Sequence, residues 1–317
     1  MDQLKAMRAF GCVADLGSFA AAARSLDLAP SVVTRLVADL ERQLGARLLT
    51  RTTRRVALTQ IGQRYRDRAD RIIRDVDAAA AAVTDSHRTV RGRVRIIAPP
   101  AFAAHQLMRS LPRLHAKHPQ IAVDITANGP VDTLHEAYDI SIVVRAGELD
   151  GDFVAHPLAT SRVVLCATPN YLRRRGTPRQ PADLGEHTML IALSRMPRTL
   201  VMSKSGSATV DAVPGHVLLR SQNAELSLAG ALAGTGIAAL PSFAVHADVH
   251  AGRLQCVLSE WRMFDVQVFA CLPSRKQVPA VVRAVLDFLR AEFSGARHDP
   301  WLPVDTPVLL QDLRIAA

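Results

Sequence analysis

No stretch of the sequence holds the roughly 18 consecutive apolar residues that span a bilayer. The opening residues, Met1 to Gly17, are interrupted by Asp2, Lys5, Arg8 and Asp15, so they lack the apolar centre of a secretory signal. A cytoplasmic protein with no membrane partner is expected. Cysteine is sparse: Cys12, Cys166, Cys256 and Cys271 lie far apart and follow no metal-ligand spacing. That pattern reads as small buried hydrophobes in a reducing compartment, not as a disulfide framework or a zinc site. His246 and His250 stand four apart, but spacing offers no third ligand, so no metal is expected. Catalytic signatures are missing as well. There is no P-loop, no G-x-G-x-x-G between strand and helix, no H-E-x-x-H and no G-x-S-x-G. Nothing places a Ser–His–Asp triad, and neither an enzyme nor a cofactor is expected. Acidic residues are outnumbered, 29 against 39 Lys and Arg, for a net charge of +10. Such a surplus favours a polyanion, either nucleic acid or an anionic surface.

The 317 residues are enough for two separately cored domains. Charge is uneven along them: Met1 to Arg91 hold 16 Lys and Arg against 10 acids, and the remaining 226 residues hold 23 against 19. Arg42 to Arg66 contain seven arginines and no acid. A solvated basic surface and a polyanion-binding one both fit that run until the motifs are considered.

The N-terminal segment reads as short helices. Asp2 is a good N-cap, Leu4, Met7, Phe10 and Ala14 share a face, and Gly17 ends the helix. Ser18 caps an alanine-rich second helix to Leu26, and Pro30 opens a third at its first turn. Three small helices with a tight turn before the third describe a helix-turn-helix. At 100° per residue, Val33, Leu36, Val37, Leu40 and Leu44 form the inner face of the third helix. Ser31, Arg35, Ala38 and Arg42 lie opposite, with Val32 and Thr34 on the flanks. A guanidinium, hydroxyls and small apolar groups suit the major groove, where Arg pairs with guanine and methyls meet thymine.

Beyond Gly45, the run from Arg47 to Leu58 alternates Thr and Arg, with Thr50, Arg51, Thr52, Thr53 and Arg54 at its centre. This reads as a two-stranded wing whose hydroxyls and guanidiniums bind phosphate oxygens. From Thr59 to about Thr89 one long helix is expected. Its apolar positions Ile61, Tyr65, Ala69, Ile72, Val76, Ala79 and Val83 are spaced 4, 4, 3, 4, 3, 4. That spacing approaches a heptad repeat, so Ile61, Tyr65, Ala69, Ile72, Val76 and Val83 are candidates for a dimer seam; packing on the helix's own domain is the alternative. Paired recognition helices would match a two-fold-related DNA site.

The runs Gly17-Ser-Phe-Ala-Ala-Ala-Ala-Arg-Ser-Leu26, Pro30-Ser-Val-Val-Thr-Arg35, Leu40-Glu-Arg-Gln-Leu-Gly45, Arg47-Leu-Leu-Thr-Arg51 and Leu58-Thr-Gln-Ile-Gly62 resemble, in order and spacing, those of LysR-type transcriptional regulators. The resemblance continues more weakly to about Phe293. It implies an α plus α/β protein: a winged helix-turn-helix over 1–58, a linker and dimerisation helix over 59–91, and a two-lobed effector domain over 92–293 like a periplasmic binding protein. Lobe I would take about 92–160 and 266–293, and lobe II about 161–265. A tail, 294–317, lies beyond the resemblance and either docks on a lobe or a partner or stays disordered.

The family likeness also implies roles. Ser31, Val32, Thr34 and Arg35 fall where members contact bases, and Thr50 to Arg54 in the wing. Leu36 departs from the glutamine that many members carry there. Partners implied are double-stranded DNA, a second copy in a dimer and further copies in a tetramer, with RNA polymerase as another candidate. A small-molecule effector would sit against the first effector-domain helix, at Pro100, Ala101 and Phe102, with Asn128, Arg145, Ser221 and Asn223 as polar lining. Ala101 stands where many members place Ser or Thr, which fits a more apolar ligand, backbone-only anion binding, or none. A nucleoid architectural protein without sequence preference and a cytoplasmic solute-binding protein are the competing readings.

Overall fold

The computed structural model describes residues 2–51, 56–84, 90–147, 149, 151, 153–192, 199–204, 209–273, 278–293 and 299–302. The chain divides into two compact units, Met1–Arg88 and Thr89–Ala317.

In the first unit, α1 (Gln3–Leu16) starts on the Asp2 carboxylate, which accepts from the Lys5 amide at 3.1 Å, and ends at Gly17 in the left-handed region at φ +61°. Ser18 caps α2 (Phe19–Ser25) through the Ala21 amide at 3.3 Å. The turn into α3 (Pro30–Leu44) is closed by local bonds. Asp27 takes φ +52°, and the amides of Asp27 and Leu28 donate to the carbonyls of Arg24 and Ala23, the paired bonds of a Schellman ending. Phe10, Val13, Ala22, Val33, Val37, Leu40 and Leu48 make the core. Leu36 is only partly buried and Leu44, in the last turn, is exposed.

Strands β1 (Leu49–Arg51) and β2 (Val56–Leu58) pair antiparallel, with Thr50 opposite Ala57. The wing tip, including Thr52, Thr53 and Arg54, lies outside the described residues. The long helix, α4 (Gln60–Thr84), begins one residue after Thr59. The Thr59 hydroxyl accepts from the Gly62 amide and donates to the Arg47 carbonyl, both at 2.8 Å. Gly62 is required by this junction, since a Cβ there would lie 1.9 Å from the Leu48 carbonyl oxygen.

In the second unit, β3 (Gly92–Ile97) leads into α5 (Pro100–Phe102), a π-helical turn (Ala103–Leu107) and α6 (Met108–Lys117), followed by β4 (Ile121–Thr126) and β5 (Ile140–Arg145). Next come β6 (Phe153–Ala167), α7 (Pro169–Arg175), a 3-10 turn (Pro181–Glu186) and β7 (Thr188–Ile191). A small hairpin, β8 (Leu200–Met202) with β9 (Val210–Ala212), precedes β10 (His216–Arg220), α8 (Ala224–Leu232), β11 (Ile237–Pro241) and α9 (Ser242–His250). The unit continues through β12 (Gln255–Val257), β13 (Asp265–Pro273) and α10 (Ala280–Glu292).

The sheet order β10-β7-β11-β6-β13-β5-β3-β4, with β12 also beside β6, encodes two lobes. Along β6, Phe153 to Arg162 pair with β13, and from Val163 onward the partners are β11 and β12. The strand therefore leaves one lobe and enters the other between Arg162 and Val163. The return lies alongside, because the Val163 amide donates to the Phe264 carbonyl at 3.2 Å and Asp265 opens β13 opposite Arg162. Helices α5 to α6 and α10 cover the first lobe, and α8 and α9 pack on the second. In such folds ligands bind beyond the carboxyl ends of the strands.

Candidate DNA-reading surface and effector cleft

Helix α3 carries the expected reading face. No side chain caps its N-terminus at Ala29, and Pro30 occupies the first position, where no amide is needed. Ser31 and Arg35 are exposed, and Val32 and Thr34 are half-buried on the flanks. The Thr34 hydroxyl donates back to the Pro30 carbonyl at 2.9 Å. Arg35 makes no ion pair or side-chain hydrogen bond with any described residue. Arg42, on the same outer side, is instead tied to Asp39 at 2.8 Å. In the wing, the exposed Thr50 hydroxyl donates to the Ala57 carbonyl at 3.1 Å. The side chain of Arg51 lies outside the described residues.

One anchoring residue was not expected. Glu41 Oε1 accepts from the amides of Leu48 and Leu49, at 2.7 and 3.0 Å. It fixes the chain between α3 and β1, and so the wing relative to the reading helix. Its only trace in the sequence is a carboxylate at the edge of an arginine-rich run.

The expected seam on α4 splits. Tyr65 packs its ring on Phe10, centroids 5.8 Å apart, and Ala69 is 1% exposed within its own chain. Burial raises the Tyr65 phenol, whose hydroxyl has no partner among the described residues. Ile61, Ile72 and Val76 are 56%, 45% and 39% exposed, and the side chain of Val83 lies outside the described residues. Helix geometry accounts for Ala69, which projects about 80° from Ile61, while Tyr65, at about 40° between Ile72 and Val76, is covered because Phe10 packs beside it. The stripe thus wraps from an outward edge to the unit's own core, and Tyr65 and Ala69 are corrected from seam to core. Arg66 reinforces that inward side. It bonds Asp15 at 2.9 Å and Asp70 at 3.2 Å, lying where a Cβ on Gly11 would have to be.

In the second unit the lobes meet where α5 and the π-helical turn approach α8 and α9. His105 on the π-helical turn and Glu225 in the first turn of α8 pair across this junction at 2.9 Å. The expected lining residues are placed unevenly. Pro100 is half-buried, Ala101 is 3% exposed and Phe102 is fully buried. Phe102 faces a cluster of Phe243, Phe293 and Trp301, with centroids at 5.3, 5.4 and 6.4 Å. It is corrected from cleft lining to core, because these three rings enclose it. Asn223 is the N-cap of α8, accepting from the Glu225 amide at 3.0 Å, and the Ser221 hydroxyl accepts from the Asn223 amide at 3.0 Å. Both hold the entrance to α8. Asn128 is exposed beyond β4, and Arg145 ends β5 half-buried, with no ion pair to any described residue.

The remaining candidates are structural. His246 and His250 stack 6.2 Å apart beside a cavity of about 320 Å³ that Pro300, Trp301 and Leu302 close, and the Trp301 carbonyl accepts from His246 Nδ1 at 2.9 Å. Among the described residues no cluster of three or more His, Cys, Asp or Glu could hold a metal ion. The cysteines are free thiols. Strand register sets Cys256 opposite Cys166, a juxtaposition that their spacing concealed. Burial raises the thiols of Cys166 and Cys256, and pushes Cys271 up to about 12, which keeps them protonated and unreactive.

Comparison with known proteins agrees with this anatomy. Residues 4–63 match the bacterial regulatory helix-turn-helix model of the lysR family, and residues 87–294 match the LysR substrate binding domain. The chain is 34% identical over 296 residues to the HTH-type transcriptional regulator YhjC of Escherichia coli, covering 91% of this chain and 97% of that one. It is 32% identical to the HTH-type transcriptional regulator CrgA of Neisseria meningitidis, covering 89% and 94%. The solved structure of CrgA, a LysR-type transcriptional regulator, superposes with a TM-score of 0.56 at 29% identity over 92% of this chain and 99% of that one. The full-length Vibrio cholerae virulence activator AphB shares the fold, with a TM-score of 0.57 at 22% identity over 91% and 98%. Among the described residues no helix is long and apolar enough to cross a membrane. The chain belongs to the LysR family of transcriptional regulators, with a DNA-binding helix-turn-helix unit followed by an effector-binding domain.

Proposed function

We propose that this regulator acts in the cytoplasm as a homodimer, assembling into a dimer of dimers on a pseudo-palindromic promoter site. A small-molecule effector modulates its DNA binding. The observation that carries the DNA-reading role is Arg35: it is exposed on the outer face of α3 beside Ser31, with no partner among the described residues. Arg42 and Arg66 in the same unit are engaged by carboxylates. A guanidinium left unpaired on a recognition helix suits bidentate pairing with guanine. Ser31, Val32, Thr34 and the wing from Thr50 to Arg54 complete the interface. The dimer reading rests on Ile61, Ile72 and Val76, apolar side chains exposed along one edge of α4. RNA polymerase is the partner through which a promoter-bound tetramer would act.

For the effector, Arg145 supports a small organic anion. It is a cation without a carboxylate partner among the described residues, at the carboxyl end of a strand that neighbours β3. No metal or other cofactor is needed for this function.

The test is selection of genomic fragments by the purified protein beside Arg35→Ala. Enrichment of a few two-fold-related sites, weakened by about 1–3 kcal/mol in the variant, is the expected result. Uniform recovery of fragments by both proteins would replace this reading with an architectural role.

A further inference from the structure

Residues 299–302 lie beyond the matched effector domain, which ends at 294, yet they are bonded to both lobes. Asp299 Oδ2 accepts from the Arg162 amide and from the Ser242 hydroxyl, each at 2.7 Å. Arg162 is where β6 changes lobes, and Ser242 opens α9 in the second lobe. The Ser242 hydroxyl is also 2.7 Å from that of Ser161, and both residues are fully buried. Asp299 Oδ1 accepts from the Trp301 amide at 2.9 Å, which turns the chain inward.

Trp301 then enters the junction between the lobes. Its indole N–H donates to Gln106 Oε1 at 2.8 Å, and Gln106, on the π-helical turn of the first lobe, donates from Nε2 to the Phe243 carbonyl of the second at 2.6 Å. The ring lies among Phe102 and Phe293 of the first lobe and Phe243 of the second, 7% exposed. Its carbonyl accepts from His246 of α9.

We infer that Asp299–Trp301 is an interlobe strap: these two side chains set the resting angle between the lobes by bonding the strand crossing, the first-lobe helix and α9 at once. Two features favour a strap over ordinary core packing. Among the described residues, β6 and the Phe264–Asp265 return carry the chain across this junction, and Asp299 bonds at that crossing itself, so its tie restrains rotation directly. The groups it satisfies also belong to opposite lobes, so turning one lobe against the other must separate them. Asp299 and Trp301 are positioning residues under this inference. It rests on the regulator reading only in supposing that lobe angle matters to DNA binding.

The test uses the full-length protein, with orthogonal probes at exposed Lys117 in the first lobe and Arg173 in the second. The variants are Asp299→Asn, Trp301→Phe and Trp301→Ala. In Asp299→Asn, either orientation of the amide turns a donor toward a donor, while the ring stays. In Trp301→Phe the bond to Gln106 is lost while an aromatic remains. Hydrogen exchange of the Arg162 amide should quicken about tenfold in Asp299→Asn, and the interprobe distance distribution should broaden and shift in all three. Should Trp301→Ala fail to fold, the other two decide. Unchanged distance distributions in Asp299→Asn and Trp301→Phe would overturn the strap and leave a core patch. Binding to the selected fragments is read separately. If the wild type binds no fragment, the regulator reading falls while the distance measurement still judges the strap.

Discussion

The two units treat their polar groups in opposite ways. On the reading face of α3, Arg35 is exposed with no partner among the described residues, and Ser31 is open to solvent. At the lobe junction, Ser221 and Asn223 hold the start of α8, His105 meets Glu225, and Gln106 is shared between Trp301 and Phe243. Water accounts for the difference. An exposed guanidinium is solvated until its partner arrives, so leaving it unpaired costs little. Gln106, 8% exposed, has little water to turn to, and an unsatisfied group there costs about 1–3 kcal/mol, whereas His105, Glu225, Ser221 and Asn223 stay partly solvated. A surface that meets polyanion can therefore leave its guanidinium open, whereas Gln106 at the lobe junction is satisfied by Trp301 and Phe243.

The largest expected effect falls on the support of the reading face. Gly62→Ala places a Cβ against the Leu48 carbonyl, and overpacking against backbone should destabilise the first unit by about 3 kcal/mol. Urea unfolding would measure it, and a change below about 0.5 kcal/mol would mean that the junction yields. Asn223→Ala tests the other side of the comparison. As the cap of α8, Asn223 should cost the second unit about 1 kcal/mol when it is replaced, read by urea unfolding.

Acid should act on the second unit next. The Tyr171 hydroxyl lies 3.2 Å from His187 Nδ1 and accepts from the Thr188 amide at 3.1 Å, so its proton points to a neutral imidazole. Burial, with Arg175 as a further cause, lowers the His187 pKa. As pH falls through the ordinary imidazole value near 6.5, the unfolded chain takes up a proton that the folded chain refuses. Stability is thus present in full above that pH and drains away below it, until the lowered folded value is reached. Urea midpoints between about pH 7.5 and 5.5 should fall less steeply in His187→Gln than in the wild type. The smallest effect belongs to Arg35→Ala. Its thermal midpoint should match the wild type, equivalent to less than about 0.5 kcal/mol, even as DNA affinity drops. A loss of stability comparable to that of Asn223→Ala would erase the contrast between the units.

Local chemistry was legible in the sequence. Asp2 and Ser18 as caps, Gly17 as a left-handed ending and Pro30 at the head of α3 all act within a few residues, and each appears where its signal stood. What escaped depends on distant partners. Glu41 reaches Leu48 and Leu49, Gly62 makes way for Leu48, and Tyr65 turns inward because Phe10 is there. Phe102 was expected at the cleft because its neighbours 141 and 199 residues further on, Phe243 and Trp301, leave no mark near it. Helical periodicity also assumes one rotation per residue, and the π-helical turn at Ala103–Leu107 breaks that assumption directly after Pro100–Phe102.

Strand β6 runs through both lobes, hydrogen-bonded to β13 on one side of Arg162–Val163, with a register shift at Leu158, and to β11 and β12 on the other. A laddered strand resists stretching, because lengthening it would strip bonds from both sheets together, yet it twists at small cost. The lobes are thus threaded on a stiff shaft. A swivel about it therefore breaks fewer ladder bonds than a separation along it.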